Sequence, residues 1–219
     1  MVQYCFVVDL DRCIGCKGCQ VACKMENQVA LGSNRITVRE VGPTGTYPDI
    51  QMYFLPSMCQ QCADPTCVKV CPTGACYKNS SDGVVLINQD QCIACLSCKN
   101  ACPYELNTYK KELRVMDKCT LCLHQREAGE KPACVKNCSG RALMFGDIND
   151  PESEVSVKLK EAGSENVHSL RDFGNGPSVR YILRKAKWHD VLPQECSQLK
   201  SRGERTGKDD GEKRMVNDK

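Results

Sequence analysis

Cysteine constrains the fold of this chain more than any other residue type. The sequence of 219 residues contains 19 cysteines but only 5% aromatic residues, so large apolar side chains supply little of the core. Sixteen cysteines form four groups whose members are separated by two to four residues, apart from one gap of eleven. Group one is Cys13, Cys16, Cys19 and Cys23; group two is Cys59, Cys62, Cys67 and Cys71; group three is Cys92, Cys95, Cys98 and Cys102; group four is Cys119, Cys122, Cys134 and Cys138.

Disulfide bonds do not account for these groups. The number of cysteines is odd, and cysteines so close along the chain seldom have the geometry that a disulfide requires. The opening residues also show neither the apolar segment nor the cleavage site of a secretory signal. Metal binding therefore explains the groups better than a disulfide scaffold.

Zinc and iron–sulfur clusters are the two metal alternatives. Structural zinc sites usually join two Cys-x2-Cys pairs across a long spacer, whereas groups one and three place three thiols at successive x2 intervals and a fourth at x3. Group three ends in Pro103 and matches the bacterial ferredoxin run, whose fourth cysteine binds the other cluster. Group one differs only in having Lys24 at the proline position. The spacing predicts four 4Fe–4S clusters.

The pairing of the groups follows from the same ferredoxin pattern. Groups two and three both end in Cys-Pro and are joined by a hairpin-like spacer, so they should exchange their fourth cysteines. Groups one and four then form the second pair by elimination. The predicted ligand sets are Cys59, Cys62, Cys67 and Cys102; Cys92, Cys95, Cys98 and Cys71; Cys13, Cys16, Cys19 and Cys138; and Cys119, Cys122, Cys134 and Cys23.

The predicted fold class is α+β, with two pseudo-symmetric ferredoxin-like units, each holding two clusters. Short β-rich segments (YCFVVDL, IQMYFL, GVVLI and ELRVM) precede the groups, and a hairpin should turn near Asp82 and Gly83. The outer unit comprises residues 1–49 with 104–149, and the inner unit residues 50–103. Residues 150–196 are expected to form a peripheral arm with a helix capped by Ser153, and residues 197–219 a disordered tail.

These motifs resemble the four-cluster iron–sulfur (beta) subunits of the dimethyl sulfoxide reductase, or molybdopterin oxidoreductase, superfamily. The resemblance covers about residues 2 to 183 and includes CPTGA, DKCTLC and GPSVRYIL. It implies a non-catalytic electron-transfer subunit beside a molybdenum or tungsten catalytic subunit. A quinol-linked membrane-anchor subunit, or another electron donor, would be a further partner. The stretch REVGPTGTYPDI, with NCSG, is similar to the transhydroxylase and catechol dehydroxylase branch.

Other functional classes find little support. No apolar run reaches the length of a membrane span, and the formal charge of +3 without a basic stripe argues against nucleic-acid binding. A free-standing polyferredoxin, or a redox module of a hydrogenase or formate dehydrogenase, is the main alternative. The arm favours a fixed partner over this alternative. Location stays open between the cytoplasm and co-export with a catalytic subunit that carries a twin-arginine signal.

Six lysines lie beside the grouped cysteines. Two interpretations are open: these side chains are solvated on short helical turns, or they offset cluster charge and raise reduction potentials. The six are Lys17, Lys24, Lys69, Lys99, Lys118 and Lys136.

Overall fold

The computed structural model describes residues 2–189. Its strands are β1 (Tyr4–Asp9), β2 (Ile36–Thr44), β3 (Gln51–Met58), β4 (Cys76–Lys78), β5 (Val85–Ile87), β6 (Thr108–Lys110), β7 (Val115–Asp117), β8 (Leu143–Asp147), β9 (Val167–His168) and β10 (Arg180–Ile182). Its helices are α1 (Gly18–Asn27), α2 (Thr66–Lys69), α3 (Ser97–Asn100), α4 (Leu123–Glu127), α5 (Ala133–Lys136) and α6 (Glu154–Ala162), and residues Ser164–Asn166 form a short 3-10 helix.

The strands form one four-stranded sheet and three hairpins. The sheet has the order β8-β1-β10-β9, in which β1 runs antiparallel to β8 and parallel to β10. The hairpins pair β2 with β3, β4 with β5, and β6 with β7. The chain is therefore a mixed α and β fold with small sheets, and the cysteine groups lie in the segments that connect them.

Strand β1 is buried on both of its faces because its sequence, YCFVVD, is apolar at almost every position. Alternate side chains of a strand point to opposite faces, so Phe6 and Val8 enter the main core while Cys5 and Val7 enter a smaller one. Helix α6 covers the smaller core through Val155, which packs against Gly146 of β8.

Several local predictions from the sequence are confirmed. Four of the predicted strands correspond to β1, β3, β5 and β7, and the hairpin β4–β5 turns through Asp82 and Gly83. Helix α6 begins after Ser153, whose hydroxyl oxygen accepts a hydrogen bond from the Ser156 backbone N–H at 3.2 Å. Strand β2 was not predicted.

The predicted arm, residues 150–196, contributes a strand to the main sheet in the part that the structure describes. Strand β10 lies between β1 and β9, and Val179 and Tyr181 are fully buried. The physical reason is that β1 needs a partner on each edge: β10 of the arm lies along one edge, and β8, which precedes the arm, lies along the other. The predicted tail, residues 197–219, lies outside the described residues.

Trp188, the only tryptophan in the sequence, packs the end of the described arm against the rest of the fold. The ring of Trp188 stacks on His168 at 5.0 Å between centroids, on Tyr181 at 5.7 Å and on Tyr53 at 6.2 Å. Because Tyr53 belongs to β3, this aromatic cluster joins the arm to the hairpin β2–β3. Such ring pairs stabilise a fold beyond the area that they bury.

A buried ion pair joins the segment before β2 to β7. The guanidinium of Arg35 donates to both carboxylate oxygens of Asp117, at 2.8 and 2.7 Å, and to the amide oxygen of Asn27 at 2.8 Å. The two charged side chains are only 8% and 3% exposed. Loss of either partner would leave an uncompensated charge in the interior.

We expect Arg35→Met to lower the free energy of unfolding by about 3–5 kcal/mol, because it leaves Asp117 buried without its partner. Anaerobic urea unfolding followed by circular dichroism measures this loss. Lys158→Met is the matched control, since it removes an exposed pair with Glu161 that should contribute less than about 1 kcal/mol. Equal losses in the two variants would contradict the prediction.

Candidate iron–sulfur sites

Each cysteine group begins with the same backbone turn. The residue before the second cysteine has a positive φ in all four groups: 68° at Gly15, 47° at Gln61, 55° at Ala94 and 54° at Leu121. Left-handed residues of this kind turn successive backbone N–H groups toward one point and create a concavity that attracts anions. Four equivalent turns therefore supply four places suited to negatively charged sulfur.

Three sets of four cysteines each line a cavity. The first cavity encloses about 340 Å³ including its open mouth, the second about 290 Å³ and the third about 300 Å³. The cysteines of the first are Cys13, Cys16, Cys19 and Cys138; those of the second are Cys23, Cys119, Cys122 and Cys134; those of the third are Cys71, Cys92, Cys95 and Cys98, with the ungrouped Cys76 beside them.

The remaining four grouped cysteines lie near one another as well. Burial raises the pKa of the Cys62 thiol to about 12, and the nearby charges of Cys59, Cys67 and Cys102 raise it further. The structure thus brings together each of the four sets of cysteines that the sequence predicts as ligands. For brevity, we call the sets by one member: the Cys13, Cys119, Cys62 and Cys95 sets.

The chemistry of these sets suits a 4Fe–4S cluster better than a single ion. A zinc ion holds its thiolates at about 2.3 Å, yet among residues 2–189 no three His, Cys, Asp or Glu side chains could hold one metal ion together. The sulfurs instead surround a wider space with apolar walls, including Val38 and Leu143 in one set and Phe6 and Leu121 in another. All-thiolate ligation in such a cavity is typical of iron–sulfur clusters.

Backbone N–H groups point at several of the sulfurs. The N–H of Ala142 lies 3.2 Å from the Cys138 sulfur, while those of Cys76 and Met116 lie 3.3 Å from the sulfurs of Cys71 and Cys92. Hydrogen bonds to ligand sulfur are one of the means by which a protein sets cluster potential. Residues that follow groups two, three and four therefore serve the sites as well as the adjoining strands.

Burial raises the pKa of many of these thiols. It raises the pKa of Cys19 and Cys119 to about 12 and that of Cys23 to about 11, with nearby cysteine charges adding to the shift. The thiolate is the form that binds metal, so the metal-free site resists the ionisation that binding requires. A cationic iron–sulfur core compensates the charge, which couples cluster binding to the folded state.

Asn175, in the arm, donates the shortest side-chain hydrogen bond to a cysteine sulfur among the described residues. Its amide nitrogen lies 2.9 Å from the Cys62 sulfur. The amide is held by Tyr104, whose hydroxyl oxygen accepts from the amide nitrogen at 3.2 Å while donating to the Arg171 carbonyl oxygen at 2.9 Å, and by the Phe173 N–H, which donates to the amide oxygen at 3.1 Å. Asp172 accepts three backbone N–H bonds that close the loop. The sequence FGNGPS offered no signal for this role beyond its glycine-flanked asparagine.

A second amide lies near the Cys119 set. The side-chain nitrogen of Asn27 is 3.7 Å from the Cys23 sulfur and 3.6 Å from the Cys122 sulfur. Arg35 holds the amide by donating to its oxygen at 2.8 Å. The buried ion pair with Asp117 thus orients a polar group toward these sulfurs.

Three pairs of sets lie close enough to interact electrostatically. Burial and the cysteines of its own set raise the pKa of Cys134 most, and the charge of Cys19 raises it further, which links the Cys13 and Cys119 sets. Burial and Cys23 raise the pKa of Cys119, and Cys59 adds to that shift, which links the Cys119 and Cys62 sets. Burial raises the pKa of Cys98, with Cys67 as the next cause, which links the Cys62 and Cys95 sets. Cys16 and Cys95, at the two ends, are exposed.

None of the helices in the described part of the chain has the length and apolar character needed to cross a bilayer.

Comparison with known proteins agrees with the geometry. Two 4Fe–4S dicluster domain families match residues 12–75 and 50–148. The B subunit of the Allochromatium vinosum sulfite dehydrogenase is 34% identical over 91% of this chain and 90% of its own length. The B subunit of the Salmonella typhimurium tetrathionate reductase is 38% identical over 82% of this chain and 72% of its own. The arsenate respiratory reductase iron–sulfur subunit of a Shewanella species is 34% identical over 80% and 94%.

Two dicluster domains correspond to four 4Fe–4S clusters, the number that the sixteen grouped cysteines predict. The relatives are subunits of reductases and dehydrogenases and cover nearly the whole chain. The protein transfers electrons and is not catalytic by itself. It belongs to the family of iron–sulfur B subunits of molybdopterin oxidoreductases.

Proposed function

We propose that the chain is a linear relay of four 4Fe–4S clusters held by the Cys13, Cys119, Cys62 and Cys95 sets. The observation that carries this proposal is the grouping of all sixteen cysteines into four neighbouring sets whose charges interact in one order. The cysteines of the Cys119 set are buried and those of the Cys62 set half-buried, whereas each terminal set has one exposed cysteine. Electrons would enter at one terminal set and leave at the other.

The residues of this chain hold, space and insulate the sites. A bound 4Fe–4S cluster supplies one-electron chemistry, with a potential that depends on charge, sulfur hydrogen bonds and solvent exposure. Apolar side chains such as Leu121 and Met58, both fully buried, exclude water from the middle of the relay. The exchange of fourth cysteines makes two ferredoxin-like units, with groups two and three inside groups one and four.

The partner that we propose is a molybdopterin catalytic subunit. What supports it is that the relatives are each one subunit of a larger oxidoreductase: a sulfite dehydrogenase, a tetrathionate reductase and an arsenate respiratory reductase. The arm was the argument from the sequence for a fixed partner and against a free-standing polyferredoxin. Because the arm contributes a strand to the main sheet, its presence does not separate these two alternatives. Whether the donor is a quinol-linked membrane subunit, and whether the chain is close to the transhydroxylase branch, stay predictions.

The cluster content is the first test. Purified anaerobically, the chain should contain about 16 irons and as many acid-labile sulfides, because four cubanes hold four irons each. Iron and sulfide analysis with reduced-state EPR measures both. About four zinc ions without iron would refute the relay. Purification from the native host without a pterin-containing large subunit would favour the polyferredoxin.

The exchange of fourth cysteines has its own test. We expect Cys102→Ser and Cys62→Ser to perturb the same EPR signal, because both residues belong to one set. Cys95→Ser is the matched control, since it lies in the same sequence group as Cys102 but in another set. If Cys102→Ser and Cys95→Ser perturb one signal and Cys62→Ser another, the proposed ligand sets are wrong.

Asn175→Ala should lower the potential of a single cluster. A hydrogen bond to a charged acceptor contributes about 1.5–3 kcal/mol, and its strength grows when reduction adds negative charge to sulfur. We expect a decrease of up to about 60 mV, a tenfold change for one electron, in the signal that Cys62→Ser perturbs. Potentiometric EPR titration measures it.

The control for Asn175 is Asn166→Ala in the same arm, whose amide donates to the Ala162 carbonyl oxygen and to Glu165. This variant should leave all four potentials unchanged at full iron content. A similar decrease in both variants would mean that Asn175 acts through the packing of the arm.

A further inference from the structure

Only one of the six lysines beside the cysteine groups is removed from water. Lys17, Lys69, Lys99 and Lys136 are exposed, and Lys24 is half-buried. Lys69 and Lys136 also form exposed ion pairs, with Asp64 and Glu130. Lys118, in contrast, is 1% exposed and is among the largest fully buried side chains. The interpretation that these lysines are solvated thus fits the four exposed side chains, but it does not fit Lys118.

Lys118 lies where the two middle sets meet. Its ammonium group donates hydrogen bonds to the Val85 carbonyl oxygen and, at 3.1 Å, to the Cys119 carbonyl oxygen. Gln61, which precedes Cys62, donates to the same Cys119 carbonyl oxygen at 3.1 Å. Cys119 belongs to one middle set and Cys62 to the other, so the cation lies next to both sets.

The position of the ammonium group is fixed by its surroundings. The amide of Gln61, itself fully buried, donates to the Cys119 carbonyl oxygen at 3.1 Å and accepts from the Val85 N–H at 2.8 Å. Gln61 and Lys118 therefore share the same two anchoring residues. Neighbouring Asp117 already has a counterion, because Nε and Nη2 of Arg35 donate to its two carboxylate oxygens.

The surroundings of the group suit a cation. The ammonium group donates to the carbonyl oxygens of Val85 and Cys119, whose partial negative charge favours a positively charged donor. A bound cluster keeps the site negative, at roughly −2 when oxidised, because four thiolates exceed the charge of the core. Each reduction adds a further negative charge.

A buried cation influences such a site far more than an exposed one. Water and salt screen exposed charges beyond about 10 Å and weaken them at shorter range, whereas charges in the interior are screened much less. Reduction adds one negative charge to a middle cluster, and the nearby positive charge of Lys118 stabilises that reduced form. Without the cation, two buried and negatively charged neighbours would each resist an added electron.

We propose that Lys118 is a positioning residue for the electron path, a fixed buried cation that raises the reduction potentials of the two middle clusters together. The proposal rests on the ligand sets given above. Lys118 keeps its proton throughout, and each transfer oxidises one site by one electron as it reduces the next. The middle of the relay is thereby kept reducible although it is the part farthest from water.

The experiment compares charge-removing and charge-keeping variants in the full chain with its clusters. Lys118→Met and Lys118→Gln remove the charge, while Lys118→Arg keeps it. Lys99→Met is the matched control: Lys99 lies beside Cys98 but is exposed, so this variant removes a charge that water and salt screen. Anaerobic potentiometric EPR titration follows each signal, and the middle clusters are identified as those perturbed by Cys59→Ser and by Cys119→Ser.

We expect the reduction equilibrium constants of the two middle clusters to fall at least tenfold in Lys118→Met and Lys118→Gln, which is about 59 mV for one electron. Lys118→Arg and Lys99→Met should stay within about threefold of the wild type. The terminal clusters should change less than the middle ones. If Lys118→Met and Lys118→Gln fail to assemble the middle clusters while Lys118→Arg assembles them, the need for a cation is supported.

Several outcomes would overturn the proposal. They are unchanged middle potentials at full iron content, an equal shift in Lys118→Arg, an equal shift in Lys99→Met, or a shift of all four clusters alike. Loss of the middle clusters in all three Lys118 variants would show that the shape of the lysine side chain, and not its charge, is needed at this position. A failure of the ligand sets would appear separately, in the Cys102→Ser and Cys62→Ser spectra.

Discussion

The burial of negatively charged sulfur is the constraint on which this structure depends. Desolvation opposes thiolate formation at Cys19, Cys23 and Cys119, so each site needs a positive or polar counterpart. The protein provides it through left-handed turns, backbone N–H groups and the side chains of Asn27, Asn175 and Lys118. Compensation of charge therefore accompanies the burial of apolar side chains throughout the fold.

Sites that draw ligands from distant segments also determine the topology. The Cys13 set includes Cys138, and the Cys119 set includes Cys23, so the first and last cysteine groups must lie side by side. The main sheet meets the same requirement, because β1 pairs with β8 and β10 from the other end of the described chain. Ligation and strand pairing thus favour one arrangement, and such agreement between levels is typical of sequences that specify a single fold.

The sequence predicts most of what short-range patterns can encode. Cysteine spacing led to the four sets, and local signals located β1, the β4–β5 hairpin and the cap at Ser153. It could not show that residues near Tyr181 enter the main sheet, since nothing local distinguishes a strand that pairs with β1 from an exposed arm. For the same reason it could not separate Lys118 from the other lysines, or assign Asn175 to a sulfur 113 positions away.

The difference in exposure along the relay has a consequence for damage. Cys16 and Cys95 are open to solvent, as are Ile14 and Ile93 beside them, each 63% exposed, whereas Cys119 and Cys134 are buried. Dissolved oxygen would reach the terminal sites first, so a chain separated from its complex should bleach from both ends inward. A partner that covers either end would act as a shield against air as well as an electrical contact.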